Sequence, residues 1–386
     1  MVKIRRIIFW MHLAAGVLAG IVILIMSFTG LCLAFESQLI NCAERDVREI
    51  TPPVPDAGRL SCDALLEKAR TANPDSEPTG LVICSEATAS VMVNFGRDDV
   101  LYLNPYTGTI LGHGAKMRGL MQQIENWHRW LGATDAYRPA ARAVADSCNA
   151  VFLFLAISGL YIWWPRNWSW KALRPSVWFA GGLRGRARDW NWHNTIGLWC
   201  SPVLIILTLT GVVMSYQWAN NLVYRLTGNQ PPPPQTERFG GNQNPGQKRP
   251  HPDPKDSEQK IVTIDAFVAK AQQQLPDWST LTLRMPPRPG APVTVSIQEL
   301  GEPSFHRSQL TLNSSTAEVM KWEPFSSQNS GRKLRTWIRF VHTGEAGGVM
   351  GQTVAAIASA GGVTLVCTGL ALACRRFFGG KTPAST

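Results

Sequence analysis

The sequence predicts an α-helical membrane protein: four transmembrane helices, internally duplicated, carrying two α+β units outside the membrane. Three observations predict it. The apolar residues, 45% of 386, gather into four stretches, about 7 to 35, 143 to 164, 196 to 218 and 349 to 374. Each is long enough to cross a hydrocarbon core of ~30 Å, which takes ~20 apolar residues. Next, a spacing repeats: His12 is followed four residues on by Gly16 and eighteen on by Gly30 in SFTGL, and His193 in the same way by Gly197 and by Gly211 in TLTGV. Two matches in register, each opening an apolar run, point to duplication. Finally, charge is one-sided. With the N-terminus in the cytoplasm, the inner segments 1–6, 165–192 and 375–386 hold twelve basic residues and one acid, Asp189, which equals the net charge of +11 for the whole chain. This is the positive-inside pattern, so the basic excess marks topology and nucleic acid is not an expected partner.

Residues 1–36 form the first span. It is longer than the apolar core of a secretory signal, ~7–15 residues, and carries the repeat's histidine, so it stays in the mature chain. Residues 37–117 are polar and of mixed charge and fold outside the membrane. Within them CDALLEKARTANP has helical spacing, while LVICSEATASVMVNFG and DVLYLNPYTGTILG read as strands with an Asn-Pro-Tyr-Thr-Gly turn. Residues 118–165 hold an amphipathic outer helix, with His128, and then the second span, which leaves through SGLYIWWPR; Trp163, Trp164 and Arg166 make an interfacial belt there.

Residues 166–190 are a basic loop too short for a catalytic domain, and 191–218 form the third span. A Pro/Gly-rich linker, 219–260, has no single expected conformation. The second outer unit, 261–335, repeats the plan: TIDAFVAKAQQQLP is its helix, APVTVSIQEL and SQLTLNSSTAEVMKW are its strands, and LTLNSSTAEVM lies over LYLNPYTGTIL. The fourth span, 336–376, has His342 just before its apolar run and TGLAL where the second has SGLYI; 377–386 is a cytoplasmic tail.

The eight cysteines contain no C-x-x-C pair. Most lie in or beside spans, where cysteine is a small apolar residue. Cys42, Cys62 and Cys84 fall in the first outer region, where a Cys62–Cys84 disulfide is expected.

Ionisable residues in membrane spans mark functional sites. By the topology His12 and His193 share the cytoplasmic face, and His128 and His342 the outer one. Two histidines on different helices at one depth supply opposed axial imidazoles for a haem iron. Gly16 and Gly197, one turn along the same helical face, leave room for a flat macrocycle; Gly16-x-x-x-Gly20 is equally a helix-packing pattern. Zinc would take three or four ligands, and neither layer offers a third. Each imidazole's other nitrogen should donate to a carbonyl or hydroxyl, with the partner left open. Arg5, Arg6 and Arg188 inside, and Arg129, Arg142 and Arg339 outside, are candidates to pair the macrocycle's carboxylates, whereas His113, His251 and His306 read as surface histidines. Two b-type haems at different depths relay an electron across the membrane. No inner G-x-G-x-x-G is present, so the donor at the cytoplasmic face is another molecule.

On NWHRWLG, SGLYIWWPR, WHNTIGLW and LNPYTGTILG the chain resembles, over nearly its whole length, the PepSY-associated transmembrane family. Within it the likeness is strongest to the ferrioxamine-type inner-membrane siderophore reductases. The resemblance implies two PepSY-like units in the periplasm, two haems ligated by His12, His128, His193 and His342, and reduction of a ferric siderophore, of hydroxamate type, during iron uptake. The proline-rich linker, and SSTA where the first unit has PYTG, depart from the pattern. Two other functions stay open: a siderophore or metal permease without redox chemistry, and a non-catalytic envelope-regulatory protein.

Overall fold

The computed structural model describes residues 2–54, 57–96, 99–165, 168–232, 262–286, 288 and 290–378. The expected linker lies outside the described residues from 233 on, as do Arg166, His251 and the tail from 379. In chain order the elements are α1 (Val2–Leu33), α2 (Glu36–Ala43), α3 (Arg45–Arg48), α4 (Cys62–Ala72), β1 (Gly80–Cys84), β2 (Val91–Asn94), β3 (Val100–Leu103), β4 (Ile110–His113), α5 (Lys116–Trp130), α6 (Arg138–Trp163), α7 (Trp170–Val177), α8 (Gly185–Ser215), α9 (Gln217–Leu226), α10 (Ile264–Gln274), β5 (Trp278–Arg284), β6 (Val293–Glu299), β7 (Arg307–Leu312), β8 (Val319–Glu323), α11 (Ser330–Thr343) and α12 (Gly348–Phe377). They form two compact units, a helical one (Met1–Glu36, Leu120–Gly228, Leu334–Thr386) and a sheet one (Ser37–Gly119, Asn229–Lys333).

In the helical unit α1, α6, α8 and α12 lie in the four stretches long and apolar enough to cross a membrane. Each packs on two neighbours, α1 on α6 and α12, α8 on α6 and α12, closing a ring. Outward-facing Leu18 and Ile21 are 86% and 68% exposed, a pattern that suits lipid and would be a large apolar patch in water. Where helices meet, small residues let the backbones approach: a Cβ on Gly362 of α12 would stand 2.8 Å from Ser27 Oγ and 3.4 Å from Phe152 Cζ. At the basic end the one acid, Asp189, is buried and pairs with Arg188 at 2.9 Å and Arg375 at 2.8 Å, tying α8 to α12.

In the sheet unit the strands of the two expected α+β units are joined. All eight strands form one antiparallel sheet, ordered β4-β3-β2-β1-β5-β6-β7-β8. The joint is β1 against β5, from Gly80 opposite Arg284 to Cys84 opposite Thr280; pairing these two strands removes what would be two open edges. The strand β5 was not expected from the sequence. Leu65, Leu66 and Ala69 of α4 and Phe267, Val268 and Ala271 of α10 pack with the sheet's buried side chains in one core.

The two helix starts hold each other. Ser61 and Thr263 cap their own helices, accepting from Ala64 N at 3.2 Å and Ala266 N at 3.4 Å. In addition Asp265 accepts from Cys62 N at 2.7 Å, while Asp63 accepts from Ile264 N at 3.0 Å and Asp265 N at 3.1 Å. Each carboxylate therefore fills the other helix's unsatisfied N–H groups.

The two hairpin turns agree despite their different sequences. Asn104 Oδ1 accepts from Tyr106 N and Thr107 N at 2.9 and 3.3 Å, and Asn313 Oδ1 from Ser315 N and Thr316 N at 2.8 and 3.3 Å. Gly108 closes the first turn at φ +69°, and Ala317 closes the second at φ +56°, a left-handed conformation that costs a residue with a Cβ.

The Cys62–Cys84 disulfide is not formed: all eight cysteines are free. Cys62 is buried at the start of α4 beside Asp265, and its thiol is pushed up to about 12, first by burial and then by that carboxylate. Cys84 ends β1 with its Sγ beside Thr280 Oγ1. Sequence reasoning also missed Glu44, 1% exposed. It accepts from Tyr102 Oη at 2.6 Å, Arg118 Nη2 at 2.8 Å, Arg48 Nη2 at 2.9 Å and Ala115 N at 3.0 Å. Burial pushes its carboxyl up, but the bonds from Arg118, Tyr102 and Arg48 outweigh that and hold it at about 2.

Candidate functional site

All four singled-out histidines lie in the helical unit, and each is held by a residue on another element. At the basic end His12 of α1 meets Ser158 of α6, Nδ1 to Oγ 2.8 Å, and His193 of α8 meets Thr368 of α12, Nδ1 to Oγ1 3.0 Å. At the far end His128 of α5 meets Thr29 of α1 at 2.9 Å, and His342 of α11 meets Thr210 of α8 at 3.0 Å.

The hydroxyls point to which ring nitrogen carries a proton. A carbonyl oxygen only accepts, and each hydroxyl lies in reach of a carbonyl of its own helix: Thr29 to Ile25 O, Thr210 to Ile206 O and Thr368 to Thr364 O, all 2.7 Å, and Ser158 to Leu155 O at 3.3 Å. With its hydrogen so committed, the hydroxyl oxygen accepts, and Nδ1–H of the imidazole donates. His342 Nδ1 lies also 2.9 Å from Leu207 O, a partner that leaves it only the donor role. In every case Nε2 is left with its lone pair for a ligand, the arrangement found behind metal-bound histidines.

These hydroxyls are the site residues that sequence reasoning left unassigned, although the signal was present. Each stands immediately before a glycine in SFTGL, SGLYI, TLTGV and TGLAL. The glycine makes room for the ring. A Cβ on Gly30 would come 3.4 Å from His128 Cε1, on Gly159 3.4 Å from His12 Cε1, and on Gly369 3.2 Å from His193 Cε1. Gly211 departs from this, its space being taken by the Asn149 carboxamide.

His12 and His193 line one cavity of about 370 Å³ inside the ring of helices, within the ~300–1,000 Å³ usual for small-ligand sites. Gly16 and Gly197 line it too, and a Cβ at either would meet only ordinary contacts, Leu155 at 3.9 Å and Leu365 at 3.6 Å. They open space rather than pack helices tightly. The walls are otherwise mainly apolar, Leu13, Ile23, Phe152 and Leu204 among them. The rings of His128 and His342 have centroids 6.4 Å apart, tilted by 57°, a separation that one metal ion ~2 Å from a nitrogen of each ring would span.

Most of the arginines singled out as candidates have partners within the protein. Arg5 donates to the carbonyls of Ile162 and Trp164, Arg188 is paired with Asp189, Arg129 with Glu125 at 2.8 Å, and Arg142 with Asp146 at 3.5 Å, while Arg339 lies over the Phe340 ring. It is Arg186 and Arg376 that line the cavity of His12 and His193. His306 is bonded to Glu302 at 2.6 Å and stacked on Phe325, and His113 stands 3.7 Å from Asp99; both are in the sheet unit.

The two histidine layers are 17 residues apart along α1, from His12 to Thr29, and again along α8, from His193 to Thr210. At 1.5 Å per residue that is about 25 Å. Among the described residues no group of three or more His, Cys, Asp or Glu could hold a metal ion. Two imidazoles alone suit a metal that brings its own equatorial ligands.

A family model described as PepSY-associated TM region matches residues 9–376. No curated protein matches the chain.

Proposed function

This chain belongs to the PepSY-associated TM region family, and on that premise we propose that it is an inner-membrane di-haem reductase serving iron uptake. Electrons enter at the basic, cytoplasmic end and leave at the periplasmic end to a ferric siderophore, which is released of its iron as Fe(II). The observation that carries the reading is the set of two histidine pairs, each imidazole bonded through Nδ1 to a hydroxyl and offering Nε2.

The residues fit two b-type haems. His12 and His193 would hold the inner one, with Gly16 and Gly197 giving the macrocycle its space, and His128 and His342 the outer. When bound, each haem supplies a one-electron iron couple whose potential follows from its axial ligands and surroundings. The chain does the rest. Ser158, Thr368, Thr29 and Thr210 fix ring orientation and tautomer; Leu13, Ile23, Phe152 and Leu204 keep the inner site dry; Arg186 and Arg376 offer cations to its carboxylates. The acceptor is a ferric chelate of hydroxamate type: one electron converts Fe(III) to Fe(II), which hard oxygen ligands hold less well. Internal duplication belongs to this reading, supported by the strand order running symmetrically outward from β1 and β5 and by the four hydroxyl–glycine pairs.

Detergent-purified protein is expected to show a reducible Soret band and about two haems per chain. His12→Ala and His193→Ala should each remove the same haem and spare the outer one. A colourless, folded protein overturns the reading.

A further inference from the structure

The stretch from Trp190 to Asn194 does more than present His193. A second cavity, about 450 Å³, adjoins the first and shares Ile162, Trp163, Trp190 and Asn194 with it. Arg5, Pro165, Ala172, Leu173 and Ser176 also line it. Its roof is α7, in the basic loop that the sequence presented as a mere connection.

That roof is built, not draped. Asn191, 1% exposed, donates from Nδ2 to Pro175 O at 2.6 Å and Trp178 O at 3.0 Å, and accepts at Oδ1 from Ala180 N at 3.1 Å. A buried carboxamide thus places both its donors and its acceptor on one loop. Two indoles add to it: Trp199 Nε1 donates to Val177 O at 2.9 Å, and Trp163 Nε1 to Ser176 O at 3.3 Å. A connector exposed to water needs none of these bonds, whereas a wall that must hold its shape around a ligand does.

We propose that this cavity receives the electron donor, a planar hydroquinone-type ring. The proposal rests on the redox reading of the adjoining site. Trp163 and Trp190 supply the aromatic surface on which a flat conjugated ring packs. Polar groups stand beside them: Arg5, and Asn194, whose Nδ2 donates to Trp190 O at 2.8 Å so that its oxygen is the group left to accept from a ring O–H or N–H. Trp163, Trp190 and Asn194 border both cavities, so an occupant is one side chain away from the His12 and His193 site. Oxidation of the hydroquinone to the quinone gives up two electrons and two protons. The electrons pass singly to the adjoining centre and reduce two ferric irons to ferrous. Among the described residues no carboxylate or histidine lines the cavity, and both protons go to water at its mouth. Such a ring has two sources, a quinol of the bilayer or a dihydroflavin from the cytosol.

The test uses the full chain in detergent. Decylubiquinone and FMN are titrated separately against tryptophan fluorescence; then decylubiquinol and dihydro-FMN are mixed anaerobically with oxidised protein and bound-iron reduction is followed. One of the two rings is expected to quench and, reduced, to donate, which names the source. Leu173→Trp, which fills the cavity from the roof, should weaken both effects at least about tenfold, the equivalent of ~1.4 kcal/mol, while dithionite reduces native and variant protein alike. Ala172→Leu narrows the same cavity from a neighbouring position with an aliphatic side chain and serves if the tryptophan variant does not fold. No quenching by either ring, or quenching and reduction indifferent to both variants, overturns the proposal. Quenching that is sensitive to Leu173→Trp in a protein without reducible iron overturns the redox reading instead and leaves a ring-binding cavity.

Discussion

At Thr368 a single hydroxyl group decides what His193 can do. Valine has the same shape without the oxygen, so Thr368→Val takes away the acceptor of Nδ1–H and with it the preference for a free Nε2. Loss of such a partner typically weakens metal binding ~10–100-fold, and the variant is expected to retain less of the inner haem, measured as haem per chain, with the outer one unaffected. Glu44 governs the sheet unit in another way. Its folded-state value, about 2, lies below the ordinary 4.5, so its stabilising contribution is whole above the latter and is lost as pH falls from 4.5 towards 2. Thermal unfolding across that window should show a falling midpoint, and Glu44→Gln should be less stable at neutral pH and nearly flat below it. The histidines were legible because spacing and charge placed them. Their hydroxyl partners showed only as four hydroxyl–glycine pairs; Ser158 and Thr368 lie 146 and 175 residues from the rings they hold, so nothing local assigned them to a histidine.

Among the elements, the long apolar helices and the hairpin strands could be read directly, because burial on one or both faces writes a period into the chain. What escaped was held by partners elsewhere. The roof helix α7 contains Trp170 and Pro175 and is flanked by Trp168 and Trp178, a composition that reads as loop until Asn191 is seen to tie it down. Strand β5 pairs with β1 across some 200 residues, and its companion α10 is held by Asp63 at a similar remove. The turn before β8 is the converse case, since its sequence, SSTA, looked unlike the first yet folds alike. Its cost sits at Ala317. Ala317→Gly relieves the left-handed strain and is expected to stabilise the sheet unit by about 0.5–1 kcal/mol, seen as a higher unfolding midpoint.

Taken whole, the sheet unit unites halves that the sequence kept apart. Because α4 and α10 satisfy each other's N-termini and β1 and β5 share a ladder, the halves should unfold in one transition, not two. Asp265→Ala, which strips the acceptors from Cys62 N and Asp63 N, should lower that single midpoint by the equivalent of about 1 kcal/mol without splitting it. The helical unit carries a consequence of a different kind. Each hydroxyl beside a histidine lies in reach of a carbonyl of its own helix, so none of the four hydroxyls is placed to hand its histidine a proton. In the proposed reading an electron moves about 25 Å between the layers, and no histidine-bound hydroxyl offers a proton to go with it. Turnover is electrogenic, and a membrane that is negative inside drives the outward electron with up to ~2.3 kcal/mol per 100 mV: the cell's resting voltage becomes a force for freeing iron.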